Sequence, residues 1–271
     1  MKDILIDAFI DAIKLVPFLF LSFIIMELIE HKFTNKKQLS KINKFGPIAG
    51  SLFGIIPQCG FSALASNLYA ARVITLGTLF SIYLSTSDEM LPIFISNKTD
   101  LKTILVFLIT KFSLGFIFGF LVDLFFKKSK KDEIDKICEE DHCHCEDSIL
   151  KSSLIHTIKI TIFILIVNII LNYIIDTDKL TNIVQGNKIL IPIITSIIGL
   201  IPNCAASVLI TELYLSNVIP FGSCLAGLLS SSGVGLLVLF KQNKNILENI
   251  LILLSLIIYS SICGIIFNII I

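Results

Sequence analysis

Apolar runs of about 20 residues follow one another along the chain, and each is long enough to cross roughly 30 Å of hydrocarbon as a helix. The pattern predicts helical segments over Ala12–Ile29, Pro47–Tyr69, Val73–Ile95, Ile104–Phe126, Ile155–Ile175, Ile189–Tyr214, Val218–Phe240 and Ile250–Ile270. A water-soluble domain would show amphipathic alternation instead. Polar, helix-breaking residues interrupt three of the runs, at Pro57-Gln58-Cys59-Gly60, at Ser85-Thr86-Ser87-Asp88-Glu89 and at Pro202-Asn203-Cys204. The expected fold class is an all-α polytopic membrane protein.

The interruptions belong to a duplicated unit. Gly54-Ile-Ile-Pro-Gln-Cys-Gly-Phe-Ser62 returns 145 residues later as Gly199-Leu-Ile-Pro-Asn-Cys-Ala-Ala-Ser207. Without a gap, Pro47–Ser87 against Pro192–Ser232 gives 17 identities in 41 positions, among them Pro57/Pro202, Cys59/Cys204, Gly77/Gly222, Ser85/Ser230 and Ser87/Ser232. Shared hydrophobicity would match Leu with Ile, but not Pro, Cys, Gly and Ser in register. The same offset pairs Lys14 with Lys159 and Gly119 with Gly264. The expected organisation is a first transmembrane repeat over 1–126, a charged linker over 127–150, and a second repeat over 151–271.

Charge orients the repeats. The loop with Lys32, Lys36, Lys37, Lys41 and Lys44 and the loop Lys127–Lys136 are both basic, so both are expected on the cytoplasmic side. Three apolar segments lie between them, where an even number of crossings is required. The conflict disappears if Pro47–Tyr69 is a Pro-broken re-entrant hairpin, since arms of about 11–13 residues are too short to span. Each repeat then crosses an odd number of times, and the second copy is inverted. Asp176–Lys188, with balanced charge, falls outside, and the loop with Lys241 and Lys244 falls inside. If the arms of each hairpin cross fully, the count rises from eight segments to ten with the same inversion. Inverted repeats with broken helices are the architecture of many secondary transporters, whose substrate sits at the midplane between the repeats.

Composition removes several classes. Hydrophobic residues make up 55% of the 271 residues, charged residues 16%, and the mean hydropathy is +0.89. A net charge of +1 leaves no basic face for a nucleic acid. No Gly-rich phosphate loop is present, so the chain carries no ATP drive of its own, and no enzyme activity or permanently bound cofactor is expected. Asp3, Asp7 and Asp11 precede the first apolar run, where a cleavable signal would be basic. Cys59, Cys204, Cys224 and Cys263 lie in apolar segments and Cys138, Cys143 and Cys145 in the linker, which favours free thiols or metal ligands over disulfides.

Three constellations can carry chemistry. In the first, Pro57 and Pro202 free backbone carbonyls, Gln58 and Asn203 add amide oxygens, and Cys59 and Cys204 add thiols. Packing is the other reading, with small residues at hairpin tips bringing helices close. In the second, Asp88 and Glu89 are costly near mid-membrane unless paired, protonated or hydrated. With Ser85 and Ser87, and with Ser230 and Ser232 in the second copy, they suit a hard or borderline divalent cation or a proton relay. An ion pair with Lys111 in the next span is the structural alternative. The third is the linker, where Cys138, His142, Cys143, His144 and Cys145 could hold a thiophilic metal or simply belong to a solvated acidic segment. Weaker candidates are Glu27, Glu30 and His31 at a helix end, Glu212 in place of Asn67, and Asn168 with Asn172 on one helical face.

Ile56-Pro57-Gln58-Cys59-Gly60-Phe61, Ser87-Asp88-Glu89 and the duplicated halves joined by a ligand-rich loop resemble the ten-transmembrane heavy-metal exporter family. Its members are labelled manganese transporters or arsenic efflux proteins. The resemblance covers nearly the whole chain and implies metal or metalloid export across the bacterial inner membrane. The expected partners are the lipid bilayer and a metal ion or metalloid as substrate; the oligomeric state stays open, a homodimer among the options. The expected function is export of a divalent metal ion, manganese first, by alternating access with proton or ion coupling. Cys59 and Cys204 fit manganese poorly and keep arsenite or another thiophilic species as the alternative. An intramembrane enzyme using Asp88-Glu89, or a metal-sensing scaffold using the linker, are the alternatives of another class.

Overall fold

A computed structural model of the protein describes residues 45–56, 60–87, 89–125 and 189–270, with scattered positions within 16–24 and 154–166. Every regular element among the described residues is helical. In chain order they are α1 (Gly46–Gly54), α2 (Gly60–Ala70), α3 (Leu76–Ser85), α4 (Met90–Ser96), α5 (Leu101–Phe125), α6 (Leu190–Gly199), α7 (Cys204–Leu215), α8 (Phe221–Ser230), α9 (Gly235–Gln242) and α10 (Ile246–Ile270). The linker 127–150 and most of Ala12–Ile29 and Ile155–Ile175 lie outside the described residues, as do Asn168 and Asn172.

Local chemistry sets the helix ends. Pro47 sits in the first turn of α1, where its missing N–H costs no hydrogen bond. Thr75 caps α3 by accepting from Thr78 N at 3.1 Å, and Asn203 caps α7 by accepting from Ala205 N at 3.2 Å. Arg72 (φ 58°) and Asn217 (φ 57°), which are equivalent under the 145-residue offset, both take the left-handed backbone that turns the chain after α2 and α7.

Three described helical runs, the second made of α8 and α9 together, are long and apolar enough to cross a membrane: Leu101–Phe125, Phe221–Gln242 and Ile246–Ile270. Burial separates them, for 89% of the apolar window in Phe221–Gln242 is enclosed, against 28% and 33% in the other two. α5 and α10 therefore form outer walls, presenting Leu105, Ile109 and Phe120, and Leu251, Ile258 and Ile262, to their surroundings. Exposed apolar side chains of this kind suit lipid and not water. The chain is a polytopic helical membrane protein.

The Phe221–Gln242 run also corrects a boundary. The apolar pattern predicts one continuous element over Val218–Phe240, but the helix stops at Ser230 and restarts at Gly235, as α3 stops at Ser85 and α4 starts at Met90. The reason is local. Ser230 Oγ donates to Gly227 O at 3.0 Å, and Gly233 takes φ 52°, so the chain leaves helical geometry although it stays buried.

The halves pack by the same rule. α1 lies on α3 and α3 on α5; α6 lies on α8 and α8 on α10. The remaining helices cross over, α2 against α9 and α7 against α4. The tightest approaches are equivalent too. A Cβ on Gly77 would stand 2.1 Å from Gly119 O, and one on Gly222 would stand 2.3 Å from Gly264 O. Only glycine lets these backbones meet. Beside the first contact Gly77 N donates to Asp123 Oδ1 at 2.8 Å; beside the second Asn268 Nδ2 donates to Ser223 Oγ at 2.9 Å.

Candidate functional site

The two helix breaks lie side by side in the core. Ser85, Thr86 and Ser87 after α3, and Ser230, Ser231 and Ser232 after α8, are all buried. Their hydroxyls mostly turn back into their own helices. Ser85 Oγ donates to Ser81 O at 2.6 Å, Thr86 Oγ1 to Ile82 O at 2.6 Å and Ser87 Oγ to Ser85 O at 3.1 Å. Ser232 Oγ is buried and has no hydrogen-bond partner among the described residues.

Lys111 joins the breaks. It projects from α5, is 1% exposed, and donates through Nζ to Thr86 O and, at 2.8 Å, to Leu228 O. Thr86 is the C-cap of α3, and Leu228 lies in the last turn of α8. Both carbonyls stand at helix C-terminal ends, where the backbone dipoles leave partial negative charge. A cation therefore lies between the two halves, held by main-chain oxygens from each. The expected ion pair between Lys111 and Asp88-Glu89 is not decided by these contacts, because Asp88 lies outside the described residues. Glu89 is partly buried and occupies the N-cap position of α4 without a capping side-chain bond.

Neighbouring contacts bring the ends of α1 and α6 to the breaks. A Cβ on Gly54, at the end of α1, would meet Ser85 Oγ at 2.0 Å; one on Gly199, at the end of α6, would meet Ser230 Oγ at 2.3 Å. Asn203 and Cys204 follow shortly after Gly199. Asn203 is buried and caps α7, and Cys204 is partly buried and outside any disulfide, whereas Cys224 and Cys263 are buried. Gln58 and Cys59, and the linker residues Cys138, His142, Cys143, His144 and Cys145, lie outside the described residues. Among the described residues no three His, Cys, Asp or Glu side chains gather in a metal-binding group. Glu212 is exposed on α7.

Two polar contacts between the halves leave no mark in the hydropathy pattern. Ser66 Oγ lies 2.7 Å from its acceptor Gly235 O, across the α2–α9 contact, and 2.6 Å from Tyr83 OH. The pairing of Ser66 with Thr211 at the repeat offset was the available signal. At one end of the bundle, Arg72 donates to both carboxylate oxygens of Glu248 at 2.9 and 2.8 Å, and Tyr69 OH donates to the same carboxylate. The Glu248 hydrogen bonds raise the Arg72 guanidinium above its usual value. Arg72 is the only arginine in the chain, and a bidentate fork of this kind is what arginine supplies and lysine does not.

A family profile described as "Putative, 10TM heavy-metal exporter" matches residues 1–175 and, in a second overlapping stretch, 125–270. Comparison with curated proteins gives no match, and comparison with solved structures gives none.

Proposed function

The chain belongs to this ten-transmembrane heavy-metal exporter family, and from that premise we propose that it exports a divalent metal ion, manganese first, by alternating access coupled to proton or ion exchange. The observation that carries the site assignment is the Lys111 ammonium held between Thr86 O and Leu228 O, which marks a cation-stabilising centre where helices of both halves break. Asp88 and Glu89 coordinate the ion or carry the exchanged proton. Gln58, Cys59, Asn203 and Cys204 complete the centre from the hairpin tips, and Ser85, Ser87, Ser230 and Ser232 line it. Lys111 pairs with the acidic pair when the substrate is absent. The linker residues Cys138, His142, Cys143, His144 and Cys145 collect metal at the cytoplasmic face of the bacterial inner membrane.

Alternating access follows from an inverted pair of repeats with re-entrant hairpins, and several contacts support that arrangement. Gly46, Gly50 and Gly54 face Thr78, Ser81 and Ser85 in order, so α1 runs beside α3 in the same direction. The turn after α2 then brings the chain back to the start of α3, as a hairpin returning to its own side requires. The start of α3 adjoins Asp123 at the end of α5, and Arg72, just before it, meets Glu248 in the first turn of α10. The start of α8 adjoins Asn268 at the other end of α10. Equivalent helices thus begin at opposite ends of the bundle.

Efflux of arsenite or a similar thiophilic species is the second reading, favoured by the Cys204 thiol, which stays partly accessible while Cys224 and Cys263 are enclosed. Uptake into everted membrane vesicles separates the two, with manganese, zinc, cadmium and arsenite compared. Manganese uptake that is lost in Asp88→Asn and kept in Cys59→Ser/Cys204→Ser supports the hard-ligand exporter. Arsenite or cadmium uptake that disappears with the thiols moves the assignment. Absence of uptake for all four overturns metal export.

A further inference from the structure

Lys111 is placed where a transporter core with two broken helices would hold an inorganic cation. Among the described residues it donates to two main-chain carbonyls, Thr86 O at the C-cap of α3 and Leu228 O in the last turn of α8. Such oxygens, at the negative ends of helix dipoles, are the ligands that unwound membrane helices offer to alkali-metal ions. The break after α8 adds a further oxygen, Ser232 Oγ, buried and with no hydrogen-bond partner among the described residues. The amine comes from one half only. At the repeat offset Lys111 corresponds to Leu256, which is fully buried on α10 and brings no charge. One cation therefore serves the carbonyl ends of both halves.

We propose that the Lys111 ammonium is a tethered cation, filling a site for a sodium- or potassium-sized ion that the broken ends of α3 and α8 build together. Without a cation there, two carbonyls aimed into a low-dielectric core lose their donor, and unsatisfied buried polar groups are expensive. The covalent tether keeps the site filled at any sodium or potassium concentration, so the two breaks stay docked without an alkali ion from solution. The inference rests on the transport reading only for the purpose of the core; the site itself is read from the contacts.

The test is the thermal stability of the purified full-length protein in lipid nanodiscs, in sodium, potassium or choline chloride at equal ionic strength. Wild type and Lys111→Arg, which keep a charge on the carbonyls, should melt at temperatures independent of the salt. Lys111→Met keeps the bulk without charge and should melt lower, again independent of salt. Lys111→Ala vacates the site; it should melt lower in choline and recover most of the loss as sodium or potassium saturates. Lys111→Ser, with equal room and an added oxygen, should behave alike and stands in if the alanine variant is lost on extraction. Failure of both small-side-chain variants to gain saturable stabilisation from either alkali ion overturns the inference, as does equal stabilisation by choline. No arm requires transport, so loss of metal uptake in vesicles and loss of this cation effect are separate results.

Discussion

A methyl group added at Gly77 would have to share space with the backbone oxygen of Gly119, and one at Gly222 with that of Gly264. Neither backbone can move alone, because each pair joins helices packed along their length. Gly77→Ala and Gly222→Ala should therefore each cost about 1–3 kcal/mol, as overpacking does, or prevent folding. Gly50→Ala should cost less, since its nearest atom would be 3.0 Å away. Thermal unfolding in detergent ranks the three; a Gly50 variant that is the weakest would contradict the packing account. Asp123 offers a second test. It accepts from Gly77 N at 2.8 Å and from Thr75 Oγ1 at 2.6 Å, at the positively polarised start of α3. Asp123→Ala should cost about 1–3 kcal/mol, the range for leaving buried donors unsatisfied. Asp123→Asn keeps an acceptor and should cost clearly less, and asparagine already stands at the equivalent Asn268.

At the level of elements, the α2–α3 turn and the start of α10 are held together by Arg72 and Glu248, with Asn243 Nδ2 donating to the same carboxylate at 3.1 Å. The pair is partly exposed, which limits its worth to about 1 kcal/mol. Arg72→Asn is the informative variant, because asparagine tolerates the left-handed backbone and so isolates the ion pair from the turn. A double-mutant cycle with Glu248→Gln should give a coupling of about 1 kcal/mol that shrinks at high salt. A coupling near zero would mean that the contact adds nothing to the cohesion of the halves.

For the whole molecule, the packing places Lys98, between α4 and α5, and Lys244, between α9 and α10, at opposite ends of the bundle, and both are exposed. In a background without native cysteines, Lys98→Cys should react with an impermeant thiol reagent in intact cells and Lys244→Cys only in everted vesicles. Reaction of both from one side would contradict the proposed inversion. Among single-cysteine proteins, Cys204 should label and be protected by the transported ion, while Cys224 and Cys263 should stay unreactive in the folded protein. Removal of residues 138–145 should lower transport without abolishing it, since a collecting segment is not the conduction path.

Much of this was written along the chain. Membrane burial adds up residue by residue, so apolar length alone reveals the helices, and Leu101–Phe125 and Ile246–Ile270 lie within a few residues of the predicted runs. The duplication was readable because Pro, Gly, Cys and Ser resist chance alignment, and its offset anticipates the Gly77–Gly119 and Gly222–Gly264 contacts. Hydropathy was blind to the break between Ser230 and Gly235, which depends on a serine bond to the helix and a left-handed glycine within an apolar run. It was equally blind to partners far apart in sequence. Lys111 could be recognised as an expensive residue, but its position between Thr86 O and Leu228 O, the second of them 117 residues away, follows from how α3, α5 and α8 pack. The same holds for Ser66 with Gly235 and for Arg72 with Glu248. The sequence alone determined the apolar length that suits helices to a membrane and where most of the described runs break; only tertiary packing decided which broken ends meet, because lipid rewards apolar length everywhere alike and close contact between helices alone selects the partner.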